Sequence, residues 1–250
     1  MTAVLDDARA PIHLHVHRLK DGVVLRLEPT SGDCTGFVWK GALRAGQTAL
    51  AAGSSLIVER GAVLEVAGCG NETLLLTFTA KPSADELRRG GHVHLLPVES
   101  VPRYGDGRVG GGLHADAMCA TCSVWLHENR LAAPAQLPSY VERAAGVHSH
   151  TEDEVIFVTD GQIRLGNRLY GPGVAIAIPA DTLYGFIPGP DGLKFVNFRA
   201  GAPGDISFAD GRTMNEMGYW RGQLDAPDPI TFAAPREHGD GRDRTMVTAP

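Results

Sequence analysis

The chain carries little of what would commit it to a nucleic acid, a membrane or an oxidising compartment. Positive charge is in deficit: 23 Lys and Arg stand against 29 Asp and Glu, a formal net charge of −6. With no basic stripe, nucleic acid is not an expected partner. No apolar run approaches the roughly 20 residues that span a bilayer. The opening stretch Met1 to Asp7 lacks the positive charge and apolar core of a secretory signal. A cytoplasmic protein without a membrane partner is the expectation. Only four cysteines occur, Cys34, Cys69, Cys119 and Cys122; in a reducing compartment they are expected as thiols rather than as a disulfide framework. Long helical periodicity is scarce as well. Short alternating runs punctuated by 31 glycines and 16 prolines dominate instead, which is an all-β pattern.

The sequence repeats itself. Displaced by 120 residues it aligns without a gap: Phe37-Val38 falls on Phe157-Val158, Gly41 on Gly161, Arg44 on Arg164, Gly46 on Gly166, Gly53 on Gly173, Phe78 on Phe198 and Ala80 on Ala200. Matched glycines mark turns, where positive φ favours a residue without Cβ. The chain therefore reads as two copies of one β-domain. Residues 1–82 form the first, 83–111 a linker, 112–205 the second and 206–250 a tail. Within the linker, Ser83, Glu86 and Gly90 have the spacing of a short capped helix, and glycine-rich 103–112 reads as a loop. The Pro-, Asp- and Arg-rich end reads as poorly ordered.

The densest chemistry lies in His148-Ser149-His150-Thr151-Glu152-Asp153-Glu154. Residues two apart on a strand share a face, so His148 and His150 point the same way and Glu154 joins them after a short bend. Two imidazoles and a carboxylate suit a divalent metal that keeps open coordination positions.

His148, His150, Glu154 and Gly161 match the spacing of the first motif of the cupin superfamily, and the chain resembles a bicupin, with quercetinase-like non-haem metal dioxygenases among the relatives implied. The second motif is matched by Gly173 and Pro179. Asp181 stands where the family has glycine, and Tyr184 where it has a histidine ligand. The resemblance implies two tandem jelly-roll β-barrels, with one divalent metal per chain held inside the second. Fe(II) is the favoured metal, with Mn, Ni, Zn or Cu as alternatives. In the first copy the ligand positions become Glu28, Thr30, Cys34 and Leu64, and the Pro179 position becomes Glu59. None of these completes a set, so no metal is expected there.

Tyr184 is a metal ligand, a proton donor or substrate contact, or a packed residue; the sequence leaves all three open. Strand parity from Glu154 and Tyr184 predicts a mostly apolar pocket containing Ile156, Val158, Thr182 and Phe186, with Trp125, Tyr140 and Arg143 at its mouth. Other metal-like spacings are weaker. His92-x-His94 with Glu99 is interrupted by Pro97. His13, His15 and His17 alternate on one face with no carboxylate and read as surface residues. Cys119-x2-Cys122 could join His114 or His127 on zinc, but no fourth ligand is legible. Together these features predict a metal-dependent small-molecule enzyme, first as an Fe(II) dioxygenase binding O2 and a dicarbonyl, enol or phenolic compound. The alternatives are a redox-neutral isomerase, lyase or decarboxylase with Tyr184 as acid or base, and a non-catalytic ligand-binding module. A homodimer is expected, because sheet edges tend to be covered.

Overall fold

The computed structural model describes residues 2–5, 12–80, 91–105, 108–117, 119, 121–122, 124–137, 147–199 and 201–216. Nearly all regular structure within them is β, relieved by two single 3-10 turns. No helix among these residues is long and apolar enough to cross a membrane. The helix expected at 83–90, Tyr140, Arg143 and the chain end lie outside the described residues.

Two compact units interleave along the chain: residues 1–101 with 114–125, and 102–113 with 126–250. The first unit contains β1 (Thr2–Leu5), β2 (Ile12–Leu19), β3 (Val24–Leu27), β4 (Cys34–Ala45), β5 (Thr48–Ala51), β6 (Ser55–Val58), β7 (Leu64–Ala80) and β8 (Val93–Leu96). Its sheet runs β1-β2-β7-β4-β6-β8, with β3 also on β7 and β5 on β4. Continuous apolar segments such as Leu74-Leu75-Leu76 are buried on both faces, as expected for strands covered on both sides. Leu43, Leu50, Leu56, Val58, Val66 and Leu75 form the core.

The second unit is built on β9 (Arg103–Gly105), β10 (Val109–Asp116), β11 (Trp125–Leu131), β12 (His148–His150), β13 (Glu154–Leu165), β14 (Arg168–Tyr170), β15 (Ala175–Ile178), β16 (Ile187–Arg199), β17 (Asp205–Phe208) and β18 (Thr213–Asn215). Its larger sheet runs β14-β13-β16-β11-β10-β9 with β15 on β13, and β12-β17-β18 form a second sheet. Ile156, Phe157, Phe195, Val196 and Phe198 are fully buried.

The 120-residue repeat is written into the strand register. Cys34 pairs with Val58 and Thr79; Glu154 pairs with Ile178 and Arg199. Register shifts fall between Val38 and Lys40 in one unit and between Val158 and Asp160 in the other. The turns match too: φ is +73° at Gly41 and +66° at Gly161, +82° at Gly61 and +59° at Asp181. Asp181 thus takes the left-handed conformation at the position where the first unit has glycine, which Asp tolerates better than most residues.

Three expectations about the chain's organisation are corrected. Residues 103–105 and 109–112 are not loop but the paired antiparallel strands β9 and β10, in which Tyr104 opposes Gly111. A Cβ at Gly111 would collide with the Glu128 carbonyl and the Tyr104 ring, so this glycine permits close approach of chains rather than a turn. Residues 93–101 are not linker: β8 pairs with β6 and belongs to the first unit. The stretch 206–215 is not tail, because β17 pairs with the strand that carries His148 and His150, and β18 pairs with β17.

Candidate active site

The two motifs are hydrogen-bonded to each other. His148 and Tyr184 exchange backbone bonds, each N–H donating to the other's carbonyl at 2.9 Å, and Asp181 N–H donates to the His150 carbonyl at 2.7 Å. Ala180 N–H donates to Asp153 Oδ1 at 2.9 Å. The same bond joins Arg60 N–H to Asp33 Oδ1 at 2.8 Å in the first unit, so this brace belongs to the fold and not to the site. Asp153 is consequently structural within the acidic run.

His148, His150, Glu154 and the Tyr184 hydroxyl are buried together on this frame. Tyr184 Oη donates to Glu154 Oε2 at 2.7 Å and lies 3.1 Å from His150 Nε2; the His150 and Glu154 atoms are 3.6 Å apart. The His148 ring stacks obliquely on Tyr184 at 4.6 Å and edge-on to His150 at 5.1 Å. The close triangle is therefore His150, Glu154 and Tyr184, with His148 flanking it.

Four further residues, none foreseen, complete the centre. Directly opposite Glu154 on the neighbouring strand is Arg199, wholly buried, whose guanidinium donates to Glu154 Oε1 at 3.4 Å and reaches His150 Nε2 at 3.2 Å. Its other terminal nitrogen is bonded to Glu216, also buried. Glu216 Oε2 lies 3.2 Å from His150 Nδ1. Asn197 donates to Glu154 Oε1 at 2.8 Å and accepts from Asn129 at 3.3 Å. The repeat put Thr79 at the place of Arg199 and the domain reading put Glu216 in the tail, so neither drew notice. Strand parity through Asn197 and Arg199, two polar residues closing an apolar strand, was the available signal.

These contacts set the protonation states. Burial pushes the Glu154 carboxyl up, but Arg199, His150 and the bonds from Tyr184 and Asn197 outweigh it and hold it below the usual carboxylate range. Glu216 is likewise held below that range, because Arg199 and His150 overcome its burial. Burial and then the Glu154 charge push the Tyr184 hydroxyl well up, so it keeps its proton. The centre thus holds two carboxylates beside one guanidinium.

The donor set fits a divalent cation. Bonds of about 2.1 Å to nitrogen and oxygen imply ligand–ligand edges of about 3.0–3.4 Å, close to the triangle above. A carboxylate behind the far nitrogen of an imidazole is the usual support of a ligating histidine, and Glu216 occupies that position behind His150. Arg199 opposes a metal, since its positive charge faces the same nitrogen and carboxylate.

Beside the triangle opens an apolar pocket of about 200 Å³, lined by Ile156, Ile163, Ile176, Pro179, Thr182 and Phe186, among others, with Tyr184 in its wall. Of the pocket residues expected from parity, Ile156, Thr182 and Phe186 line it. Val158 is buried in the core and is not in its lining. Trp125 is fully buried, groups with the first unit and is not among the residues lining the pocket. The reading of His17 as a surface residue is corrected too: it is buried, with Nε2 2.8 Å from Thr77 Oγ1.

No protein-family model matches the sequence, and no curated protein resembles it significantly. Solved structures do. A Bacillus subtilis oxalate decarboxylase variant aligns over 92% of this chain and 80% of its own, at 10% identity and a TM-score of 0.60. The Lactobacillus farciminis oxalate decarboxylase in its formate complex aligns over 81% and 80%, at 10% identity and a TM-score of 0.60. The protein Ylba of E. coli aligns over 76% and 77%, at 13% identity and a TM-score of 0.57. At these identities the likeness establishes a shared fold, that of the cupins, and leaves the chemistry to be argued from the residues.

Proposed function

We propose that the chain is a bicupin whose second unit is a metal-dependent enzyme for a small organic substrate, of the redox-neutral kind: a lyase, decarboxylase or isomerase. One observation carries this reading. Tyr184 lines the pocket, and its hydroxyl is bonded to Glu154 and lies next to His150. A phenol so placed can turn its proton from Glu154 toward a substrate in the pocket, and the carboxylate beside it is placed to accept one.

His150 and Glu154 would hold the cation, with Tyr184 or His148 as a further ligand. Once bound, a divalent ion supplies Lewis acidity toward a substrate oxygen. Mn(II) joins Fe(II) as a leading choice, since a solved B. subtilis oxalate decarboxylase is described by its Mn(II) centres. The remaining work falls to the chain. Glu216 orients His150, so that its Nε2 lone pair faces the centre. Asn197 and Arg199 fix Glu154 Oε1, leaving Oε2 to Tyr184. The apolar walls exclude water and take the substrate's carbon body. The cavity lies below the roughly 300–1,000 Å³ usual for drug-sized ligands, which favours a compact substrate.

A second reading rests on Arg199. Its guanidinium already supplies a cation to both carboxylates, as would suit a ligand-binding module that works without metal in this unit.

Tyr184→Phe separates the possibilities. Retained Mn(II) or Fe(II) with turnover reduced about 10²–10⁴-fold supports the proton role. Loss of the metal makes Tyr184 a ligand. Oxygen consumed in step with turnover of an enol or catechol rejects the redox-neutral reading for the dioxygenase. Neither Mn(II) nor Fe(II) binding in a manner abolished by Glu154→Gln rejects both enzyme readings.

A further inference from the structure

We propose that Glu59, His94, Cys119 and Cys122 form a four-ligand zinc site in the first unit, distinct from the centre in the second. One ligand atom from each lies within 4.8 Å of all the others, and this is the only such group of His, Cys, Asp or Glu among the described residues. His94 Nε2 is 2.7 Å from Glu59 Oε1, and Cys119 Sγ is 3.9 Å from His94 Nε2. A tetrahedral zinc with bonds of about 2.3 Å to sulfur and about 2.0–2.2 Å to nitrogen and oxygen needs edges of about 3.3–3.8 Å. Small side-chain adjustments reach that geometry. Two thiolates, an imidazole and a carboxylate form a soft-to-borderline set that selects zinc over magnesium, calcium or manganese.

A second observation points the same way. The Glu59 side chain is wholly buried, and among the described residues no Lys or Arg lies within ion-pair range of it. Its Oε2 accepts from the His92 N–H at 3.0 Å, which leaves Oε1 aimed at the cluster, where the Thr121 hydroxyl also donates at 2.5 Å. A carboxylate sealed from water is costly without a compensating cation, and a metal in the cluster provides one. The ligands come from the end of β6, from β8 and from the segment after β10. A closed four-ligand set of this kind is structural in character. It would tie the 119–122 segment to the edge strand of the first sheet, making the first unit's stability depend on zinc. The site was illegible in the sequence because Glu59 and Cys122 are far apart along the chain, and because the repeat assigns Glu59 to the place of a proline.

The test uses the full chain, purified reduced and loaded with Zn(II) alone. The expected result is one zinc per chain in Glu154→Gln, which removes a ligand of the second-unit centre, with affinity for that zinc lowered more than about 100-fold when Cys119→Ser or Cys122→Ser is added. Co(II) in place of zinc should show thiolate charge-transfer absorption that those two variants lose. A readout on the wild type alone covers the case in which the variants do not fold: Zn(II) should shield Cys119 and Cys122 from alkylation, and a chelator should expose them. Zinc bound equally well by soluble Cys119→Ser, alkylation indifferent to Zn(II), or a Cys119–Cys122 disulfide that forms despite Zn(II) would each overturn the proposal.

Discussion

At the scale of single residues, Arg199 governs the second unit. It is sealed from solvent between Glu154 and Glu216, and removing one partner of a buried ionic set strands the other charges. Arg199→Met should lower unfolding free energy by about 3–5 kcal/mol in metal-free protein, measured by urea denaturation. Saturating Mn(II) should recover part of that loss, because a bound divalent cation replaces the missing positive charge and stabilises by mass action. No recovery would mean that the carboxylates do not recruit a metal. Sequence inspection found His148, His150, Glu154 and Tyr184 because short-range spacing advertises them. It missed Arg199, Glu216 and Asn197, whose meaning arises only from which strands become neighbours.

Among elements, the β4 and β13 strands show how much of the fold was legible. Their turns are glycines that recur at a fixed interval, and a turn that needs positive φ leaves that trace in any sequence. The β9–β10 pair left a mixed trace, since Gly111 serves close packing while Gly105 takes a positive φ of +77°, and composition alone does not tell the two uses apart. Gly161 and Gly166 separate them by experiment. Both have positive φ, +66° and +56°. A Cβ on Gly166 meets nothing, whereas on Gly161 it would press into the Gly192 carbonyl. Gly166→Ala should cost about 1 kcal/mol from backbone conformation alone. Gly161→Ala should cost at least about twice that, because the strand pair must also move apart. Equal thermal shifts in the two variants would show that the Gly192 contact relaxes freely.

For the whole molecule, acid stability follows from β2. Burial, with His15 adding to it, pushes the His17 pKa from 6.5 down to about 4. A depressed folded-state value means that the unfolded chain binds the extra proton first. The stabilisation is therefore complete above pH 6.5 and drains away as pH falls toward 4. About 2 kcal/mol should be lost across that window, and His17→Gln should flatten the dependence in pH-resolved denaturation curves. A slope unchanged in the variant would assign the acid sensitivity elsewhere. The interleaving of the two units yields another expectation. Chain 1–101 lacks the 114–125 segment of its own unit, so expressed alone it should show no cooperative unfolding transition by circular dichroism, whereas a sharp transition would make it self-sufficient.

The position of Glu216 sets an order of events during synthesis. The imidazoles, Glu154, Tyr184 and Arg199 all leave the ribosome before the acid that neutralises Arg199 and steadies His150. Until β17 and β18 arrive to extend the sheet from β12, the nascent second unit carries an arginine with half of its partners missing. The centre is thus among the last parts of the second unit to mature, and neither cation nor substrate meets its finished form on a growing chain.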